Sequence, residues 1–143
     1  MIDRGIAPDA DWAARVQDLT GGRGADLVID MVGAGALAGN LACAATGGRI
    51  VAVGRLGGPA DVLDMNMLAL KRLSLLGVSF RLRTVEERAV IARGFVRDVL
   101  PAIAAGKLSP MVDRRFALAD AEAAQNHVRS NAHAGKALLE IAR

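Results

Sequence analysis

Ala25–Gly58 reads ADLVIDMVGAGALAGNLACAATGGRIVAVGRLGG. It holds two short apolar runs, Leu27–Val32 and Arg49–Gly54, both rich in β-branched residues and both closing on glycine. Each is too short for a helix and suits a buried strand. Between them Ala36–Ala45, built of Ala, Leu and Asn, suits a helix, and Thr46-Gly47-Gly48 ends it. Strand, helix, strand with unbroken apolar strands predicts a βαβ unit in a parallel sheet. Ligands of such units sit beyond the carboxyl ends of the strands. Met31-Val32-Gly33 and Val53-Gly54-Arg55 are therefore the first places to look for function.

The flanks extend the same pattern. Upstream, Met1–Pro8 is ambiguous, and Asp9 or Asp11 can cap a helix through Trp12, Val16 and Leu19. Thr20-Gly21-Gly22-Arg23-Gly24 stops it. Downstream, Leu56-Gly57-Gly58-Pro59 is a loop, Asp64 or Asn66 leads a short helix over Met65–Lys71, and Leu73–Phe80 is a third strand. Thr84-Val85-Glu86-Glu87 spells a capping box. The helix it opens runs to Ala105, with Val90, Ile91, Phe95, Val99, Leu100 and Ile103 on one face. Pro101 bends or breaks that helix, and Gly106 stops it. Pro110–Phe116 is a strand, Leu118-Ala119-Asp120 opens a helix to Ser130, Asn131–Gly135 is a turn, and Lys136–Ile141 is a final strand. No linker divides the chain, which predicts a single domain over 1–143.

Apolar residues make up 52% of the 143, enough for a core, but aromatics are only 3%. Ala, Val and Leu must fill the interior. The net charge of +3 is spread along the chain. Neither a dense basic run nor the aromatic platforms for stacking bases are present, which argues against nucleic acid. No apolar run reaches the ~18 residues of a membrane span. The single cysteine, Cys43, falls on the predicted buried helix, as a core residue and in keeping with a reducing cytoplasm.

No catalytic constellation emerges. His127 and His133 are six positions apart, without an obvious cysteine or carboxylate cluster, so they do not read as a zinc site. Asp26 and Asp30 share a face of one strand, where strand-end placement or hydrogen bonding to a loop explains them. Gly33-Ala34-Gly35-Ala36-Leu37-Ala38 matches G-x-G-x-x-[GA] between a strand and a helix. Two features argue against a literal dinucleotide fingerprint. The strand order would put this turn mid-sheet, and the next strand ends on Gly54-Arg55 rather than on an acid. The alternative is a later wall of a nucleotide site, where glycine permits close backbone approach.

Four blocks carry a more specific resemblance: VQDLTGGRGADLVIDMVG (16–33), GGRIVAVGRLGG (47–58), LKRLSLLGVSFRLRTVEER (70–88) and RFALADAEAAQNHVRSNAHAGKALLEI (115–141). In order and spacing they resemble the zinc-independent quinone oxidoreductases of the medium-chain dehydrogenase/reductase superfamily, the group that includes zeta-crystallin. The resemblance covers nearly the whole chain and corresponds to the rear part of such an enzyme. The GroES-like catalytic domain, the first Rossmann strands and the glycine-rich pyrophosphate turn have no counterpart in these residues.

The resemblance implies an α/β fold: a partial Rossmann-like parallel sheet with flanking helices, plus C-terminal strands that in the family return to the GroES-like domain. It implies hydride transfer from NADP(H), with NAD(H) as the alternative, to a quinone or related enone, without a metal. By the same resemblance Met31, Val32 and Gly33 line the adenosine side. Gly54, Arg55 and Leu56 follow the nicotinamide ribose, Ser79, Phe80 and Arg81 touch the nicotinamide end, and His133, Gly135 and Lys136 approach from the C-terminal turn. Arg4 stands where a family Tyr neighbours the adenosine phosphate. The strand Leu73–Phe80 becomes the edge that pairs with its twin in a homodimer, and a long apolar edge strand is an association hazard on physical grounds too. The rear part alone is expected to lack activity. The rival reading is a non-catalytic dimerisation or interaction module derived from that fold.

Overall fold

A computed structural model describes residues 11–141. Asp9, Arg4 and the Met1–Pro8 stretch lie outside the described residues. The chain divides into two compact units, one ending at Arg88 and the other beginning at Ala89.

The first unit contains α1 (Trp12–Leu19), β1 (Ala25–Asp30), α2 (Leu37–Cys43), β2 (Ala44–Ala52), α3 (Met65–Leu70) and β3 (Ser74–Gly77). The strands form one parallel sheet in the order β1-β2-β3. The three apolar runs thus lie side by side as the βαβ reading requires. Ile50 faces Val28 on one side and Leu75 on the other.

The ends of the strands differ from expectation, each for a local reason. β1 stops at Asp30 rather than Val32 because the Asp30 carboxylate accepts from the amides of Val32 (2.8 Å) and Gly33 (3.0 Å). β2 stops at Ala52 because the amides of Val53 and Gly54 both converge on the Asp30 carbonyl. β3 is half the expected Leu73–Phe80. Val78 donates one last bond to the Ala52 carbonyl, and with β2 finished there Ser79 and Phe80 have no ladder to join. Thr46-Gly47-Gly48 is not a turn before β2 but an irregularity inside it: Ala25 faces Ala44, yet Leu27 already faces Arg49. Among the described residues β1 is one edge of this sheet. β3 is the other edge, and all four of its residues are exposed.

Leu41, Ala44, Ile50 and Leu73 form the buried core, flanked by Val28, Leu37, Leu63, Met67 and Leu68. α2 is held at both sides. The Trp12 ring of α1 closes directly on Gly39, where a side chain would collide with it. At its C-terminus the Lys71 ammonium donates to the carbonyls of Leu41 (2.9 Å), Ala42 (2.7 Å) and Ala44 (3.0 Å). These are groups a helix end leaves without intrahelical partners. Cys43 is buried, as expected, and burial pushes its thiol pKa up. Unbroken apolar strands predict cover on both faces, but Leu27 and Ile29 of β1 remain 47% and 63% exposed.

The Thr84 capping box forms in both directions. The Thr84 amide donates to Glu87 Oε2 (2.8 Å), and the Glu87 amide donates to Thr84 Oγ1 (3.2 Å). It opens α4 (Val85–Asp98), which continues into the second unit. The single helix expected to Ala105 is broken at Val99, and α5 (Leu100–Ala104) carries Pro101 in its first turn. Val90, Ile91 and Phe95 are exposed rather than covered. β4 (Val112–Ala117), a single 3₁₀ turn at Leu118–Asp120, α6 (Ala121–Arg129) and β5 (Lys136–Glu140) complete the unit. β4 and β5 pair in parallel as a sheet of their own. No helix among the described residues is long and apolar enough to cross a membrane.

Candidate functional site

The carboxyl ends of β1 and β2 are tied together through Asp30, which is only 7% exposed. Its side chain shapes the Met31-Val32-Gly33 turn and its carbonyl anchors Val53 and Gly54. Hydrogen bonding to a loop is therefore its role. Gly54 passes so close to Met31 that a Cβ would collide with the Met31 carbonyl. Gly33 has φ +78° and forms an isolated parallel bridge with Gly58, and the Gly57 amide donates to the Val32 carbonyl (2.7 Å). The close approach that the glycines permit is thus made by residues 54–58 of the same chain.

Asp61 completes this arrangement. Its Oδ2 accepts from the amides of Gly35 (2.8 Å) and Leu37 (3.2 Å), and its Oδ1 from Val62 (2.8 Å). These backbone bonds, Val62 first, hold the Asp61 carboxyl below the usual carboxylate range. Amides of the G-x-G-x-x-A turn that a fingerprint would offer to a phosphate are taken by an internal carboxylate. Sequence reasoning missed Asp61. It lies 26 residues beyond Gly35 in a loop, and nothing local marks it.

Two clefts open at these strand ends. The smaller, of about 140 Å³, is lined in part by Asp30, Gly33, Gly54, Arg55 and Asp61. The larger, of about 510 Å³, is lined in part by Arg55, Ser79, Phe80 and Arg81. The expected residues Gly33, Gly54, Arg55, Ser79, Phe80 and Arg81 therefore fall on two clefts that share Arg55. Met31, Val32 and Leu56 line neither of them and are 52%, 48% and 86% exposed.

His133, Gly135 and Lys136 belong to the second unit. There Asp113 on β4 lies 2.7 Å from His127 Nε2 on α6 and accepts from the Ala134 amide (3.2 Å). The His127 contact, then that amide, lowers the Asp113 carboxyl pKa. His127 therefore does have a carboxylate partner, against the sequence reading. The pair is 14 residues apart and meets only across β4 and α6. The His133 ring lies 6.1 Å from that of His127, and its Nδ1 is buried without a hydrogen-bond partner. Gly135 has φ +116° and passes against the Met111 carbonyl, to which the Lys136 amide donates (2.8 Å). The Lys136 side chain is exposed. No group of three or more His, Cys, Asp or Glu among the described residues is arranged to hold a metal ion.

Comparison with known proteins supplies the wider context. The family model described as zinc-binding dehydrogenase matches residues 3–139. Quinone oxidoreductase-like protein 2 of Bos taurus is 32% identical over 126 residues, covering 88% of this chain and 36% of that protein. The solved structure of a mycobacterial quinone oxidoreductase superposes with TM-score 0.66 at 31% identity, over 91% of this chain and 40% of the other. An NAD-dependent alcohol dehydrogenase superposes with TM-score 0.67 at 28% identity, over 95% of this chain and 37% of the other. The chain thus spans 36% to 40% of the length of the three proteins named here.

Proposed function

The chain belongs to the zinc-binding dehydrogenase family of oxidoreductases, and from that premise we propose that it is the rear part of an NAD(P)H-dependent reductase of quinones or related enones. The relatives named above include quinone oxidoreductases, and the fold is the Rossmann-like sheet on which nicotinamide cofactors bind. The observation that carries the reading is the larger cleft. Two separate segments expected at the nicotinamide, one after β2 and one after β3, open onto it together. When bound, the nicotinamide supplies the hydride. Arg55, Ser79 and Phe80 would hold its end of the cofactor, Gly54 would let the chain pass beneath it, and Gly33 would face its adenosine side. In such a site the protein's contribution is to hold donor and acceptor together and keep water out, which asks for no catalytic acid. That the reaction needs no zinc enters the proposal from the resemblance alone.

The 143 residues alone would bind NADPH weakly and reduce no acceptor, because the glycine-rich turn that grips the pyrophosphate in such enzymes has no counterpart among the residues that resemble them. The exposed β3 edge would pair with a second copy of the chain, and the buried lone Cys43 suits the cytoplasm. An amide NMR titration with millimolar NADPH tests the site. Shifts are expected at Gly33, Gly54, Arg55, Ser79 and Phe80, without saturation in the micromolar range. Shifts confined to other residues would overturn the site, and micromolar affinity would overturn the weak binding. Size-exclusion chromatography with light scattering tests the pairing, and a monomer at high concentration counts against it.

A further inference from the structure

The larger cleft has an uneven charge, of which the hydride-transfer reading uses only Arg55. Arg55 and Arg81 both line it, and no acidic residue does. Its other walls are apolar apart from one hydroxyl: Val53, Val78, Phe80 and Leu82, with Ser79 between them. Neither guanidinium makes a hydrogen bond or ion pair with any described residue. Arg83, two residues beyond Arg81, is different: it pairs with Glu87 at 3.8 Å. The carboxylates of the adjoining smaller cleft, Asp30 and Asp61, already accept two and three backbone amides.

We propose that this cleft binds an oxyanion group, a carboxylate or a phosphate, attached to an apolar body, with Arg55 and Arg81 as the residues that select the charge. A guanidinium is weakly hydrated and presents a planar fork of donors matched to carboxylate and phosphate oxygens. The apolar walls between the two arginines receive the rest of the molecule. The proposal rests on the reading of this cleft as the reducing site only for what the ligand is. The oxyanion belongs either to the acceptor, which would then be an acidic enone rather than a neutral quinone, or to the cofactor's phosphate.

The test uses two matched pairs of probes on the intact chain, with the Arg side-chain N–H signals as readout. Cinnamate against cinnamamide represents the acceptor, and nicotinamide mononucleotide against nicotinamide riboside represents the cofactor. In at least one pair the anion should bind about 10-fold tighter than its neutral twin at low salt, as expected for charge-assisted bonds. That preference should shrink to about 3-fold or less at 0.5 M salt, where such exposed charges are screened. Arg81→Gln should reduce it while leaving the neutral twin's affinity unchanged, and Arg55→Gln should reduce it as well. A preference in the first pair alone assigns the oxyanion to the acceptor, and in the second pair alone to the cofactor. Equal binding of anion and neutral twin in both pairs overturns the proposal, and does so on the unsubstituted chain even if a variant fails to fold. That failure is separate from a failure of the hydride-transfer reading, which is read from NADPH shifts at the cleft.

Discussion

Replacing Lys71 by Met is the sharpest perturbation the first unit offers. Met keeps most of the apolar stem and removes the ammonium. Three carbonyls lose a donor, but not equally. The Ala42 carbonyl also accepts from Gln17 Nε2 (2.8 Å) and stays satisfied. Those of Leu41 and Ala44 belong to residues 0% and 1% exposed and have lost the ammonium that bound them. A hydrogen bond to a charged group contributes about 1.5–3 kcal/mol, and a buried acceptor left unsatisfied costs about 1–3 kcal/mol. Three bonds share one charge and water can reach part of the helix end, so the sum is well below three full bonds. A loss of about 3 kcal/mol is expected. With a urea m-value of about 1.5 kcal/mol/M, the midpoint falls by about 2 M at unchanged m. Lys71→Arg should lose less because it keeps a charged donor, but still lose something, since its planar fork cannot reach three convergent carbonyls. Gln17→Leu combined with Lys71→Met should cost more than the two singles together, because only then is the Ala42 carbonyl stranded. A Lys71→Met loss below about 0.5 kcal/mol, the scale of an ordinary surface substitution, would refute the account of Lys71 as the cap of α2.

Four other outcomes are expected. Gly54→Ala should cost more than about 3 kcal/mol, because the added methyl meets the Met31 backbone and neither side can give way; Gly94→Ala, with nothing within reach of its Cβ inside α4, should stabilise by about 0.5–1 kcal/mol in the same denaturation assay. Thr84→Ala should cost about 1 kcal/mol and lower the helical circular dichroism; a variant as stable as the parent would show that the box is not formed in solution. Asp61 has a folded pKa below its unfolded one, so its contribution is fully present above the ordinary aspartate range and is lost as pH falls through the lowered folded value. Carboxyl ¹³C NMR should show Asp61 titrating below the usual aspartate range, with the Gly35 and Leu37 amides moving in step. An ordinary titration would remove the clamp from the account.

What the sequence made legible was local. The parallel order of the three strands follows from two apolar runs that end on glycine and a third after a short helix. The Thr84 box and the break near Pro101 each need only a few consecutive residues to be read. Strand ends were misjudged because a single side chain decides them. Asp30 stops β1 and, through its carbonyl, β2, and β3 then has nothing left to pair with. Asp61 and the Asp113–His127 pair were invisible for a related reason. Their partners are 14 to 26 residues away, and their function is set by backbone amides or rings that only the folded chain brings near. In the candidate site Gly33, Gly54, Arg55, Ser79, Phe80 and Arg81 reach the clefts, whereas Met31, Val32 and Leu56, all beyond the strand ends in turns the sequence pattern does not orient, stand outside them.

Cys43 has a practical consequence. It is the chain's one thiol, sealed against the same helix end that Lys71 caps. A thiol-reactive dye can modify it only in molecules whose α2–β2 junction has come apart. Labelling rates in native buffer therefore time the excursions of that junction without any engineered probe, and comparing them with global unfolding would tell whether this half of the sheet breathes on its own or only when the whole unit melts.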